Sequence, residues 1–514
     1  MSQNNAGSYA WDSPFRLPHT PGSVNLAAMA EAPSSPRQAP GLRPLPLLAG
    51  PAAFLLTRAL APSMLEPAAL NVLGVALWMA MWWISECLPL AVTALLPIAL
   101  FPLLGVATTK EAASHFANEV VYLYLGGFLL AAALEHWQAH VRIALGVIGR
   151  VGTDSRRLVF GVMLATAFIS MWISNTATAA MMYPIALAIG SLYGDGPAAR
   201  SQRVALLLGV AFAASIGGMA TIIGTPPNLI MAGAAKELLG VTLDFVTYLK
   251  FGLPAALILL PACWALLVFV FHRERLEMGA DGLRVLSDRQ ASLGTFGGGE
   301  RRVVVVFALT ALGWFFREPK SIGDFTVFGL TSVVPGLTDA GIAVLGGIAL
   351  FVIPSRGAGS RPLLTWREAR RIPWDVLLLF GGGLSLAAAM ESSGLATRIG
   401  EWMGTLNGLP LPVVFLGVAV GTVIISELAS NAATASMGMP IAVALGAALG
   451  QPPLLLMLLI GMSASVGFAL PMATPPNAIV FGSGELTVRE MARAGLALDA
   501  MAIAVVIGVL LVMF

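Results

Sequence analysis

The sequence predicts an all-α polytopic membrane protein built as an inverted repeat, with about 11 transmembrane helices and two re-entrant helical hairpins. Three observations carry that expectation. Of 514 residues, 57% are hydrophobic and only 11% charged, with a mean hydropathy of +0.83, where a water-solvated domain carries about a quarter charged residues. A polar motif broken by proline occurs twice in otherwise apolar chain. The arginines gather in loops that alternate sides only if two apolar stretches turn back on themselves.

Residues 1–44 are rich in Pro, Ser, Ala and Asn and lack the basic start and compact apolar run of a signal peptide, so they read as a disordered tail. Apolar runs of spanning length then begin near residues 45, 68, 88, 120, 204, 251, 303, 339, 375, 454 and 494. Two further stretches, 158–193 and 411–449, are each long enough for one span or a bent hairpin. With the tail inside and both stretches returning to the side they left, 22 of the 29 Lys and Arg residues fall on cytoplasmic segments. Single crossings would instead expose the basic loops 272–302 and 355–371 outside. Two hairpins satisfy the charge bias, with the N-terminus cytoplasmic and the C-terminus external. The 272–302 loop mixes six arginines with five acids and reads as a solvated loop.

The repeat is visible residue by residue. Gly126-Gly127 to Glu135 aligns with Gly382-Gly383 to Glu391 at an offset of 256. The same offset carries Ser170 onto Ser426, Ser174 onto Ser430, Asn175 onto Asn431, Thr178 onto Thr434 and Pro184 onto Pro440. After a seven-residue contraction, Thr225-Pro226-Pro227-Asn228 falls on Thr474-Pro475-Pro476-Asn477. The aligned spans run in opposite directions, so the halves are inverted, an architecture that supports alternating access around a midplane site. The glycine runs read as helix-breaking and close-packing elements. They are not phosphate loops, since no P-loop Lys and no preceding strand accompany them.

Irregular backbone at membrane depth is tolerated where it lines a cavity. Proline breaks each Thr-Pro-Pro-Asn helix. The broken ends then present N–H groups with a positive dipole to an anion, and free carbonyls to a small hard cation. Neither hairpin contains Lys or Arg, so positive charge for an anion must come from helix N-termini and bound cations. Ser170, Ser174 and Asn175 offer three oxygens, on one side of a helix expected to end near 174, and Ser426 with Asn431 repeats them. An isolated Ser or Thr in a membrane helix more often bonds its own preceding turn; two copies in one register outweigh that. Glu427 stands alone in the second hairpin where the first has Met171. A charge at that depth marks either cation or proton chemistry, or a structural contact with Glu86, Arg398 or backbone groups.

Other classes lack their residues. Cys87 and Cys263 lie in apolar spans without a CxxC or histidine cluster, and the five histidines sit in the tail or near span ends. An intramembrane protease would need a Ser/His pair or paired aspartates, and Asp339, Asp375 and Asp499 read as partnerless groups near span ends. A net charge of +2 without a basic aromatic patch offers nothing to nucleic acid. A transporter, not an enzyme, remains.

Ser174-Asn175-Thr176, Ser430-Asn431, both Thr-Pro-Pro-Asn turns, Trp82 to Pro89 and Trp374 to Gly383 together resemble the divalent anion/sodium symporters, solute carrier family 13. The likeness covers residues 65–514. It implies a homodimer working by elevator-type alternating access: scaffold helices in 45–119, a first repeat in 120–250 with hairpin 158–193, connecting and scaffold helices in 251–374, a second repeat in 375–493 with hairpin 411–449, and a last span in 494–514. By position it implies one sodium site at Ser170, Ser174, Asn175 and Gly224, and a second at Ser426, Ala429, Asn431 and Ala473. Substrate carboxylates would meet Ser174, Asn175, Thr176, Ser430, Asn431, Ala432, Thr225, Thr474 and Pro475. Ala432 departs from a second Ser-Asn-Thr, which removes a hydroxyl and is expected to add room. Sodium-coupled symport of a C4 dicarboxylate is the leading expectation, with citrate or sulfate as substrate, or sodium-independent exchange, as alternatives. No cofactor beyond the coupling sodium is expected. Four Lys against 25 Arg point to a GC-rich genome and a bacterial inner membrane.

Overall fold

The structure, a computed structural model, describes residues 44–514 except 61–64, 278–287, 289–290, 292, 323–324, 356–359 and 405–407. Residues 1–43 of the expected tail, and 278–287, 289–290 and 292 of the expected 272–302 loop, lie outside the described residues. The chain opens with α1 (Pro44–Leu60) and α2 (Pro67–Ser85), then α3 (Leu96–Leu103), α4 (Glu119–His136) and α5 (Ala139–Ile148). Next come α6 (Ser155–Ser170) and α7 (Asn175–Ser191), then α8 (Pro197–Ala220), α9 (Pro226–Leu239) and α10 (Phe245–Ala265), which continues in wider turns to Phe271. The second part holds α11 (Gly298–Phe315), α12 (Asp339–Val352), α13 (Trp374–Ser392), α14 (Leu395–Met403), α15 (Leu411–Leu428), α16 (Asn431–Ala448), α17 (Pro453–Ala464), α18 (Pro475–Phe481) and α19 (Val488–Met513).

Among the described residues, seven helical segments are long and apolar enough to span: α2, 109–136, α8, 245–271, α13, α15 and α19. Several expected spans are shorter, because 14 residues of α12 or 12 of α17 rise only about 21 or 18 Å against a hydrocarbon core of about 30 Å. Broken pairs occur at α8–α9 and α17–α18; α8 is long enough to span by itself, and α17 is not. A two-stranded antiparallel ribbon, β1 (Lys320–Ile322) with β2 (Phe325–Val327), was not expected; Ser321 pairs with Thr326.

The glycine runs do not break helices: Gly126 lies inside α4 and Gly381 to Gly383 inside α13. They serve close packing. A Cβ at Gly126 would overlap the backbone of Ala343 on α12, and one at Gly382 the backbone of Ala94.

Ion pairs gather the arginine-rich loops at one end. Arg142 holds Glu300 through two bonds (2.7 and 3.1 Å), Arg200 holds Glu490 likewise, and Arg275 meets Asp154 at 2.5 Å. Burial pushes the Asp154 carboxyl up, but Arg275 and the Arg157 N–H outweigh it and hold the group below the ordinary carboxylate range. Asp154 precedes α6 and Ser201 follows α7, yet both reach the same segment, at Arg275 and Glu274. The residues flanking the α6–α7 pair therefore meet one and the same segment.

Candidate functional site

Each hairpin is two helices joined by a short extended turn. α6 ends at Ser170, and Ser174 opens α7 as its cap, accepting from the Ala177 N–H at 3.3 Å. The oxygens thus do not share one helical face, since the first arm stops four residues earlier than its sequence suggests. They meet across the turn instead. Ser170 Oγ lies 2.8 Å from Asn175 Oδ1 and 2.7 Å from the Ala214 carbonyl of α8. In the second hairpin Ser426 Oγ lies 2.9 Å from Asn431 Oδ1 and 2.6 Å from the Ala464 carbonyl at the end of α17. A hydroxyl has one proton for its two acceptors, so each trio keeps lone pairs unspent. Hydroxyl, amide and helix-end carbonyl oxygens of this kind suit a hard monovalent cation.

The breaks repeat with equal fidelity. Asn228 Nδ2 donates to the Gly218 and Thr221 carbonyls at 3.0 and 2.8 Å. Asn477 Nδ2 donates to the Gly467 and Leu470 carbonyls at 3.1 and 3.0 Å. Both carboxamides are fully buried, and in both the Oδ1 has no hydrogen-bond partner among the described residues. Each Asn folds its break back over the helix end that precedes it. The break then meets the hairpin: Gly218 lies against the Asn175 carboxamide and against the backbone of Gly224. Gly467 is likewise surrounded by Asn431 Oδ1, Ala473 and Thr474. The structure brings together Ser170, Asn175 and, through Gly218, Gly224, and in the other half Ser426, Asn431 and Ala473. Ala429 ends α15 in extended backbone beside its set.

The halves interlock by exchange. α7 of the first hairpin packs against α18 of the second break, and α16 of the second hairpin against α9 of the first. Of the expected substrate residues, Thr176 and Pro475 are exposed, and Ser174, Asn175, Ser430 and Asn431 are partly buried. Thr225 and Thr474 are buried caps: Thr474 accepts from the Asn477 N–H, and the Thr225 carbonyl accepts from Tyr124 Oη at 2.8 Å. Ala432 is buried too, so the absent hydroxyl leaves packed methyl and not the open room expected.

Gly218→Ala tests the junction. Its methyl would overlap the Asn175 carboxamide, and overpacking of this kind costs about 1–3 kcal/mol. Transport by this variant should fall at least about tenfold while membrane expression persists, measured as uptake per quantity of purified protein.

Reading the sequence alone omitted four residues that shape the site. Asn228 and Asn477 were visible within the quoted turns, and a buried carboxamide after two prolines was the available signal. Tyr124 carried no signal. Asp499 was read as partnerless, but it lies well inside α19 and accepts from the Phe468 N–H at 3.1 Å; Asp339 likewise has partners in Arg317 and the Phe245 N–H. Glu427 accepts from the Ala469 and Leu470 N–H groups at 2.7 and 2.9 Å, the backbone option among its expected contacts. Among the described residues no cluster of three His, Cys, Asp or Glu forms a metal centre.

The family model described as the sodium:sulfate symporter transmembrane region matches residues 46–513. The chain belongs to the divalent anion/sodium symporter family. The family's members are transporters, and this one is an integral membrane protein. It is 37% identical over 458 residues to the sodium-dependent dicarboxylate transporter SdcS of Staphylococcus aureus, covering 87% of each chain. Among solved structures it resembles the Neisseria gonorrhoeae MtrF (TM-score 0.55, 15% identity, 89% of this chain and 96% of that one). The Alcanivorax borkumensis YdaH transporter is similar at TM-score 0.52 and 16% identity, over 77% and 86%. At such identities these two speak to the fold alone, a helical membrane-transporter fold.

Proposed function

We propose that this symporter-family member carries a C4 dicarboxylate together with sodium. One observation bears most of the weight: the Ser-Asn pair occurs twice in the same register, each time closed by a helix carbonyl, on stretches (158–193 and 411–449) that hold no Lys or Arg. A dianion in such a place needs bound cations beside it. The sodium-dependent dicarboxylate transporter at 37% identity supports the same pairing of ions. The cations sit at Ser170, Ser174, Asn175 and Gly224, and at Ser426, Ala429, Asn431 and Ala473. The carboxylates meet the N-terminal ends of α7 and α16 at Ser174, Asn175, Thr176, Ser430 and Asn431, bounded by Ala432, Thr225, Thr474 and Pro475. The hairpins enter the membrane without crossing it, the N-terminus faces the cytoplasm and the C-terminus the exterior, and homodimeric protomers move the site by an elevator step in a bacterial inner membrane.

Uptake of radiolabelled succinate into proteoliposomes, with and without an inward sodium gradient, tests this reading. Sodium-driven accumulation is expected. Uptake that requires internal dicarboxylate but no sodium gradient would make the protein an exchanger and defeat it. Unlabelled citrate and sulfate as competitors report selectivity, for which the family model's sulfate description supplies the second reading.

Thr176→Ala separates substrate from cation contacts. The Thr176 hydroxyl is exposed beside Asn175 and outside the Ser170 trio. Losing one hydrogen bond of about 1 kcal/mol should raise the succinate KM about fivefold. The sodium concentration for half-maximal uptake should stay unchanged.

A further inference from the structure

The two breaks differ in length, and the difference has a specific cause in side chains. α8 continues to Ala220, so the first break covers only residues 221–225. α17 stops at Ala464, and the second break runs from 465 to 474. The register that equates Gly218 with Gly467 places the last two residues of α8, Met219 and Ala220, and the extended Thr221 opposite Phe468 to Leu470. Where the first half is still helical up to Ala220, the second has already left its helix and has three successive backbone N–H groups without a helical acceptor.

Two carboxylates take them. Asp499 Oδ1 accepts from Phe468, Glu427 Oε1 from Ala469 and Glu427 Oε2 from Leu470. Both side chains are buried, at 8% and 5% exposure for Glu427 and Asp499. Gly495, one turn before Asp499 on α19, allows the approach, since a Cβ there would overlap the Phe468 carbonyl. The first hairpin carries Met171 in place of Glu427, and its carbonyl accepts from Thr221 Oγ1 instead. The Leu470 residue so held also presents its carbonyl to Asn477, next to Gly467, around which Asn431 and Ala473 gather.

We propose that Glu427 and Asp499 are positioning residues for the second cation site: they hold Phe468 to Leu470 unwound and so aim the Asn431–Ala473 oxygens. This deepens the sodium-symport reading and rests on it. The first site has no such carboxylate dependence: α8 runs to Ala220, and Thr221 is held by its hydroxyl on the Met171 carbonyl and by Asn228. Buried N–H groups bonded to a charged acceptor lose more than ordinary ones when that acceptor goes.

The test is carried out on the full-length protein in proteoliposomes and in detergent. Glu427→Gln keeps the shape but turns an amino group toward one of the two N–H donors. It should raise the sodium concentration for half-maximal succinate uptake about tenfold and lower the Hill coefficient for sodium. The succinate KM at saturating sodium should change less than about twofold. Asp499→Ala should act in the same way, and Asp499→Asn, which retains an acceptor for Phe468, should restore the wild-type sodium dependence. Sodium-dependent thermal stabilisation of each purified variant reads the same shift without transport, and serves if Glu427→Gln fails to fold. An unchanged sodium dependence in a folded variant, or equal rises in sodium requirement and succinate KM, overturns the proposal. Wild-type protein neither stabilised nor driven by sodium would overturn the symport reading itself.

Discussion

Asn175→Ala and Asn431→Ala should each reduce sodium-driven dicarboxylate uptake on the order of 100-fold, the largest loss expected of any single polar substitution in this protein. Each Asn does three things at once. Its Oδ1 completes a trio with a buried serine hydroxyl and a helix carbonyl. It stands at the first position of a helix, where N–H groups and the dipole favour an anion. Its carboxamide also lies against the break of its own half, at Gly218 or Gly467. Alanine would remove the oxygen and leave the serine with the carbonyl alone. Asn175→Asp divides these roles. It keeps an oxygen for the cation but places a negative charge where a dianion must dock, so sodium-dependent thermal stabilisation should survive while succinate uptake is lost. If Asn175→Ala transported at the wild-type rate, the cation trio would be a packing contact and no more.

How much of this was legible beforehand depends on the kind of signal. The hairpins stood out because Ser174-Asn175-Thr176 and Ser430-Asn431 are polar islands in apolar chain, and because arginine placement restricts which stretches can cross. The return of the chain after α7 is an expectation from charge, and the Asp154–Arg275 and Ser201–Glu274 contacts bring both ends of the α6–α7 pair to one segment. The end of α6 was misplaced by four residues, since Met171-Trp172-Ile173 contains no glycine or proline to mark a stop. The turn there is set by tertiary contacts: Trp172 stacks on Phe245 and packs edge-on against Phe307. Asp499 was misread for a related reason. A lone acid in an apolar helix has meaning only once a distant break brings unpaired N–H groups to it, and nothing local announces that partner. The glycine runs misled in the opposite direction, because glycine can serve either a break or a close approach, and the helical neighbours of Gly126 and Gly382 decide for the second.

Arg317→Met should produce the largest loss of stability outside the site. Arg317 follows α11 and is partly buried among three acids: Nη2 lies 2.9 Å from Asp244 Oδ2 and 3.0 Å from the more exposed Glu318 Oε1, and Nε lies 2.7 Å from Asp339 Oδ1. Asp339 also accepts from the Phe245 N–H at 2.9 Å, and Asp244 caps α10 at Thr247. Burial pushes the Asp244 carboxyl up, but the Thr247 N–H and hydroxyl and the Arg317 guanidinium outweigh it, leaving the group below the ordinary carboxylate range. Its contribution to stability is therefore present above the ordinary carboxylate pKa and is lost as pH falls through the lowered value. Methionine fills the volume but strands Asp244 and Asp339, a change that costs about 3–5 kcal/mol for a buried pair. The double variant Arg317→Met with Asp339→Asn should recover part of that loss, as a double-mutant cycle on thermal unfolding would show. A transport consequence follows from the ring stack beside the pair. Phe245 lies between Trp314, at 5.1 Å, and Trp172, at 5.9 Å, and Trp172 is in the turn that joins Ser170 to Ser174. Loosening the start of α10 therefore frees the tip of the first hairpin. Maximal uptake should fall more than sodium affinity does, because the Ser170 trio is closed by Ala214 on α8 and needs nothing from Phe245. An Arg317→Met protein as stable as wild type would mean that solvent reaches the pair freely, contrary to the 12% and 10% exposures of its two side chains.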